Sequence, residues 1–250
     1  MKQIYAFETK EDYEKYEGMI GRFNKKIKAY QNELEKNYAL KDIPKAIVWT
    51  SRELATTVFS NVPIPAFTNK DVIYLSPDLS SWKKLFIEQL EGKQNTYIEI
   101  YYENLSENHV LTILGHELTH HSDLFADDFD DERAEGIWFE EGMCDYLSRK
   151  FLLNETEFKA ISNVESALVE LFKRKYGNHS LETFGAASYE GTLTSIMYDY
   201  WRSFLAIKYL VEEKANNDIM RTFSEYHRWH NEGRKVPLVE FFGLESYFSS

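Results

Sequence analysis

The feature that most restricts how this chain can fold is an apolar segment that runs into a His-Glu-x-x-His motif. Residues 110–121 read VLTILGHELTHH, with His116 and His120 four positions apart. On a helix, side chains at positions i and i+4 lie on the same face, one turn apart. Both imidazoles can therefore bind one metal ion. Glu117 lies about 100° further round the helix axis, where its carboxylate can act as a general base on water at the metal.

A catalytic zinc ion needs a third protein ligand, with water in the fourth position, and an acidic segment downstream can supply it. Residues 138–147 read WFEEGMCDYL. Spacing favours Glu141 over Glu140, because Glu141 shares a helix face with Asp145 whereas Glu140 shares its face with Cys144. A carboxylate that accepts the second ring N–H of a metal-bound histidine fixes the orientation of that ring. Metal coordination would decide between the two glutamates.

The two segments together resemble the gluzincin metallopeptidases. In that family one helix supplies two His ligands and the base, and a second helix with an Asn/Glu-Glu-Gly core supplies a Glu ligand. An acid four residues later holds the first His. The resemblance covers roughly residues 106–150. It implies a zinc site with the ligands His116, His120 and Glu141, the base Glu117, and Asp145 holding His116.

Two related groups of enzymes fit the sequence less well. Metzincins continue the motif with Gly and His at positions that Asp123 and Ala126 occupy here. Glu103-Asn104 lacks the Gly and Met of the exopeptidase motif Gly-x-Met-Glu-Asn, which aminopeptidase-N-like gluzincins carry, and it lies too near His116. Without that motif no carboxylate is evident for a free substrate amine, so we expect an endopeptidase.

A tyrosine later in the chain is the candidate for stabilising the transition-state oxyanion. Residues 200–205 read YWRSFL and are similar to the Tyr-x-Lys-Gly-aromatic segment of aminopeptidase-N-like enzymes, with Arg202 and Ser203 in place of Lys and Gly. The resemblance implies that Tyr200 donates a hydrogen bond to the oxyanion. A structural role as an aromatic residue of the core would explain the presence of Tyr200 equally well. The other candidates for this role are Tyr189, His179, His227 and His230.

The pattern of elements predicts an α+β, mostly helical chain with a zincin-like two-lobed fold and zinc in the cleft. Residues 1–250 would form a single catalytic unit. The N-terminal lobe, residues 1–125, would contain a long helix over 10–38, a small mixed or antiparallel sheet and the His-Glu-x-x-His helix. The C-terminal lobe, residues 126–250, would be helical and would carry the third ligand.

Local patterns place the remaining elements. A strand is expected at 45–50, and a hairpin at 66–76 that turns at Asn69-Lys70. The edge strand that a substrate would extend is expected at Val72 to Ser76, with Tyr97 to Tyr102 as the competitor and an ordinary core strand as the alternative. Asp123 to Glu135 reads as a solvated acidic connection. Further helices are expected at 80–92, 155–175, 192–214, 216–230 and 236–248, with Tyr200 on the inner face of its helix and Tyr198 on the far side.

Composition excludes several classes of partner. The 41 acidic and 29 basic residues give a net charge of −12, which disfavours nucleic acid. No segment approaches the roughly 18 apolar residues of a membrane span, and the first residues lack a leader pattern. The single cysteine, Cys144, forms no internal disulfide and is expected in the core. We therefore expect a cytoplasmic protein, and a monomer in preference to a dimer.

The sequence thus predicts a zinc-dependent metallopeptidase that hydrolyses peptide bonds of a peptide or protein substrate. Zinc is the expected cofactor. The alternative is a non-catalytic, zincin-like peptide-binding or regulatory protein, although such a protein has no need of a base at Glu117. The sequence does not identify the substrate or the cleavage preference.

Overall fold

The computed structural model describes residues 1–60, 63–127, 135–245 and 247, which form a mostly helical α+β chain with one small mixed sheet. The strands are β1 (Lys2–Ala6), β2 (Ala46–Thr50), β3 (Ala66–Thr68) and β4 (Val72–Leu75). The helices are α1 (Lys10–Glu14), α2 (Glu17–Asn37), α3 (Arg52–Leu54), α4 (Leu79–Glu88), α5 (Thr96–Glu103), α6 (Glu107–Thr119), α7 (Ile137–Leu152), α8 (Glu155–Tyr176), α9 (Leu193–Tyr209), α10 (Ile219–Asn231) and α11 (Leu238–Phe241). The expected fold class is confirmed at this level. Most of the acidic connection, residues 128–134, lies outside the described residues.

The chain divides into two compact units. The first consists of Met1–Asp123 and Leu147–Phe158, and the second of Leu124–Tyr146 and Lys159–Ser250. The boundary between Tyr146 and Leu147 falls inside α7. None of the described helices combines the length and the apolar character that crossing a membrane requires.

The sheet of the first unit has the order β1-β2-β4-β3. β1, β2 and β4 run parallel, and β3 pairs antiparallel with β4. β2 is buried along its whole length, as expected of a central parallel strand with an Ala-Ile-Val-Trp sequence. The predicted hairpin is confirmed, and the Asn69 side chain closes it by accepting hydrogen bonds from the backbone N–H groups of Asp71 and Val72.

Neither segment expected as the edge strand is one, and the alternative given for Val72 to Ser76, an ordinary core strand, is confirmed. β4, which covers most of Val72 to Ser76, lies between β2 and β3, so β3 is the edge strand on that side. β3 has only three residues, too few to show a period of two in the sequence. Tyr97 to Tyr102 is part of α5, although its tyrosines and isoleucines favour a strand. The helix prevails because Asn95 caps it, its side chain accepting the N–H of Ile98 at 3.2 Å.

The long N-terminal helix is interrupted after its first turn. α1 ends at Glu14 and α2 begins at Glu17. The rings on either side of the break pack toward β1: Tyr13 lies 4.7 Å from Tyr5, and Tyr16 stacks 5.9 Å from Phe7. These contacts lie where the periodicity alone predicts a continuous helix.

α2 and the last part of α7 hold α6 in the first unit. The hydroxyls of Tyr30 on α2 and Thr119 on α6 are 2.7 Å apart and buried. Gly115 allows this close packing. A Cβ at Gly115 would lie 2.6 Å from Leu152, 3.0 Å from Ser148 and 3.3 Å from Tyr30. A wider residue would therefore separate α6 from both neighbours.

The second unit is built on a layer of aromatic rings. The Phe139 ring stacks on Tyr226 at 4.2 Å and lies parallel to Phe242 at 5.8 Å. Contrary to the prediction, Tyr198 is buried and does not lie on an open side of α9. Its ring lies under the guanidinium of Arg202, which forms a buried 2.5 Å ion pair with Asp199. The charges of Asp199 and Arg202 suggested that this face of α9 is exposed, but the two side chains pair with each other inside the second unit.

Gly142 sets the separation between α7 and α9. A Cβ at this position would lie 2.4 Å from the backbone oxygen of Ser203 and 2.7 Å from Ile207. A backbone atom cannot turn aside as a side chain can, so any larger residue forces the two helices apart.

We expect Gly142→Ala to lower the free energy of unfolding by about 1–3 kcal/mol. Gly21→Ala is the matched control, because Gly21 is exposed on α2 and an added Cβ has no neighbour within 4 Å. That control should raise stability by up to about 1 kcal/mol, since alanine favours a helix over glycine. Urea unfolding of the metal-free proteins measures both changes. Equal effects of the two substitutions would contradict the close contact of α7 with α9.

Candidate metal site

α6 carries the His-Glu-x-x-His motif at its C-terminal end. His120 caps the helix with helical dihedral angles (φ −54°, ψ −23°), and its N–H donates to the carbonyl of His116 at 3.3 Å. The helical path therefore continues through His120 and keeps the two imidazoles one turn apart. Ser106 is the N-cap residue, as predicted, but its hydroxyl accepts no hydrogen bond from the α6 backbone and donates to Glu157 at 3.0 Å.

The two imidazoles present the same ring atom to each other. The Nε2 atoms of His116 and His120 are 3.1 Å apart, and the rings meet edge to face with their centroids 4.8 Å apart. Two nitrogens bound to one tetrahedral zinc ion at about 2.0–2.1 Å would be roughly 3.3 Å apart. The observed separation is close to this value. His116 is buried, and His120 is half-buried.

Glu141 completes a three-residue group. His116, His120 and Glu141 each offer a ligand atom, and these atoms all lie within 4.8 Å of one another. Among the described residues, this is the group of His, Cys, Asp and Glu side chains that could hold a metal ion. Glu140 is buried as well but is not part of the group. The structure thus brings together the three ligands that the sequence predicted.

Tyr189 and Tyr200 converge beside Glu141. The Tyr189 hydroxyl donates to Oε1 of Glu141 at 3.2 Å and lies 2.8 Å from the Tyr200 hydroxyl. Tyr200 comes from α9, and Tyr189 from a 3₁₀ turn at Ala186–Glu190. The sequence offered them as competitors for one role, but the structure makes them neighbours.

Two of the three histidine candidates for oxyanion stabilisation form hydrogen bonds with other groups. Nε2 of His179 lies 2.8 Å from the Asp199 carboxylate and 2.8 Å from the Arg202 guanidinium. Nε2 of His227 lies 2.7 Å from the carbonyl of Leu124. His230 is half-buried on α10.

The remaining predicted residues differ in burial. Glu117 is buried on α6, directly after a metal-ligand candidate. Cys144 is fully buried, which confirms its expected place in the core. Asp145 is half-buried on α7, and its contact with His116 stays a prediction.

His121 has a defined structural role that the sequence did not reveal. It is buried, and its Nε2 lies 2.8 Å from the hydroxyl of Thr68 on β3. Burial, with a further effect of His120, lowers the pKa of His121 to about 4. The neutral ring therefore ties the end of α6 to the edge strand.

His109, two turns before His116 on α6, anchors the start of the helix. Its Nε2 is hydrogen-bonded to the hydroxyl of Tyr101 on α5, and its Nδ1 lies 3.4 Å from the hydroxyl of Ser106. Burial lowers the pKa of His109 to about 4, with Arg149 adding to the effect and Glu157 opposing it. Its neighbours in sequence give no signal for this, since an isolated histidine on a helix can be exposed or buried.

The comparisons with known proteins add nothing to this description. No protein-family model, no curated protein and no solved structure matches the chain. The case for function therefore rests on the site itself.

The low pKa of His109 predicts a loss of stability in mild acid. In the unfolded chain the His109 imidazole is protonated near pH 6.5, whereas in the folded chain it is protonated only near pH 4. The contribution of His109 to the free energy of unfolding is therefore fully present above pH 6.5 and is lost between pH 6.5 and 4. The total loss is at most about 3 kcal/mol.

Urea unfolding at pH 7 and pH 5, with a chelator present, measures the effect. His109→Gln should be less sensitive to pH than the wild-type chain, because glutamine does not titrate. The comparison isolates His109 from His121, which both proteins retain. An equal pH dependence in the two proteins would contradict the assignment.

Proposed function

We propose that this protein is a zinc-dependent metallopeptidase that cleaves peptide bonds within an extended chain. The observation that carries the proposal is the convergence of His116, His120 and Glu141 on ligand atoms within 4.8 Å of one another. Glu117 follows the first of these ligands directly, on the same buried helix. A base next to an imidazole–imidazole–carboxylate set is what metal-assisted hydrolysis requires.

The donor set fits zinc better than other common cations. Two imidazoles and one carboxylate are the ligands of many catalytic zinc sites, which leave a fourth position for water. Calcium and magnesium prefer sets of oxygen ligands. A structural zinc site has four protein ligands and commonly includes cysteine, whereas Cys144 is not part of this group.

When bound, zinc supplies Lewis acidity that activates water near neutral pH and polarises a carbonyl group. The carboxylate of Glu117 takes the proton from the attacking water and returns it to the leaving amine. The Tyr200 hydroxyl donates a hydrogen bond to the oxyanion that develops on the substrate carbonyl. Asp145 accepts the ring N–H of His116 and holds this ligand in one tautomer.

The sheet suggests how a peptide substrate would bind. β3 is an edge strand, and Thr68 on β3 bonds His121, the residue after the ligand His120. An extended peptide that adds to the free edge of β3 would gain main-chain hydrogen bonds whatever its sequence. This supports an endopeptidase, with β3 replacing Val72 to Ser76 as the substrate strand.

Glu117→Gln should keep the fold and bound zinc and lower turnover by at least about 100-fold, because the amide cannot accept the proton. Mass spectrometry of a library of unstructured peptides, incubated with the zinc-loaded proteins, measures this loss. A fully active variant would overturn the assignment of the base. A wild-type chain that binds zinc and peptides but cleaves none would favour the non-catalytic peptide-binding alternative.

The ligand assignment is tested by zinc titration against a chromophoric chelator. Wild-type protein should bind one zinc ion, and Glu141→Gln should bind it at least about ten times more weakly, because a neutral amide is a poor zinc ligand. Glu140→Gln is the matched control, since Glu140 is also buried and is adjacent in sequence. Weaker binding in the Glu140 variant alone would reverse the assignment.

A further inference from the structure

One hydroxyl proton links the third ligand to the candidate oxyanion donor. Tyr189 has a single hydroxyl hydrogen, and it points to Oε1 of Glu141 at 3.2 Å. A carboxylate that binds metal is deprotonated and can only accept. The 2.8 Å contact between the Tyr189 and Tyr200 hydroxyls must then be donated by Tyr200. The order of donation is therefore from Tyr200 to Tyr189 to Glu141.

We propose that Tyr189 is a positioning residue that fixes the carboxylate of Glu141 for metal binding. The inference rests on the proposed metal site and gives Tyr189 a role different from that of Tyr200. The terminal torsion of a glutamate side chain is broad and weakly restrained. A hydrogen bond to one carboxylate oxygen restricts this rotation, so less freedom is lost when the metal binds.

Two hydrogen bonds close the 3₁₀ turn that carries Tyr189. The N–H of Gly185 donates to the hydroxyl of Ser188 at 3.2 Å, and the N–H of Ser188 donates to the carbonyl of Gly185 at 2.8 Å. Gly191 follows the turn, and a Cβ there would lie 2.4 Å from the Ser195 hydroxyl. The turn is thus packed tightly against the start of α9.

A buried aromatic ring supports both tyrosines. The Phe184 ring is 1% exposed and lies 6.1 Å from the ring of Tyr189 and 5.1 Å from that of Tyr200. Because one ring packs against both, the two hydroxyls are brought together by packing as well as by their hydrogen bond.

The direction of donation separates the roles of the two tyrosines. If Tyr200 turns its hydroxyl toward a substrate oxyanion, the bond from Tyr189 to Glu141 remains intact. Loss of the Tyr189 hydroxyl removes that bond directly. Metal retention should therefore depend on Tyr189, and turnover without metal loss should depend on Tyr200.

The test compares Tyr189→Phe with Tyr200→Phe, which each remove one hydroxyl oxygen and keep the ring. Chelator competition should show zinc affinity lowered about 10- to 100-fold in the Tyr189 variant and within about twofold of wild type in the Tyr200 variant. The melting temperatures of the metal-free proteins should be similar. The increase on adding zinc should be smaller in the Tyr189 variant alone.

Wild-type zinc affinity in Tyr189→Phe would overturn the inference and leave the proposed function standing, provided that Glu141→Gln still loses zinc. An equal loss of zinc affinity in both tyrosine variants would also overturn it, since the two roles would not be distinct. Failure of the wild-type chain to bind zinc would overturn both the inference and the proposed metallopeptidase.

Discussion

The structure depends on a buried helix that must end with two imidazoles one turn apart. A buried polar group that lacks a hydrogen-bond partner is costly, and most of α6 is buried. Two of its other polar side chains, Thr112 and Thr119, donate to backbone carbonyls within the helix at 2.7 Å each. The Nε2 atoms of His116 and His120 lie 3.1 Å apart, a separation that suits the shared metal ion of the proposed function.

The residues around α6 keep that end of the helix in place. His109 binds Tyr101 near the start, Tyr30 binds Thr119 near the end, and His121 binds Thr68 just beyond it. Each of these contacts reaches a different element: α5, α2 and β3. Two neutral histidines thus serve as structural hydrogen-bonding groups on the same segment that offers two histidines to a metal.

The sequence predicted the parts of the fold and site that depend on local spacing. The three ligand candidates, the helices that carry them and the β3–β4 hairpin follow from helical periodicity or turn chemistry within a few residues. The sequence did not identify the edge strand, because strand order depends on pairing between distant segments. In addition, β3 is too short to show the two-residue alternation of a strand. Tyr198 was misplaced for a related reason: Asp199 and Arg202 pair with each other inside the second unit, so charge did not indicate exposure. The contact of Tyr189 with Glu141 spans 48 positions and lies in an irregular segment, where periodicity carries no information.

The division of the chain has a consequence for its synthesis. The unit that contains the sheet is discontinuous, because Leu147–Phe158 returns to it after residues 124–146 have joined the other unit. Ser148 and Leu152, which pack against Gly115, are made later than the entire sheet. A nascent chain that has reached only Asp123 therefore has an incomplete core, with one side of α6 open to solvent or to chaperones. The first unit can bury this side of α6 only after translation has passed Phe158.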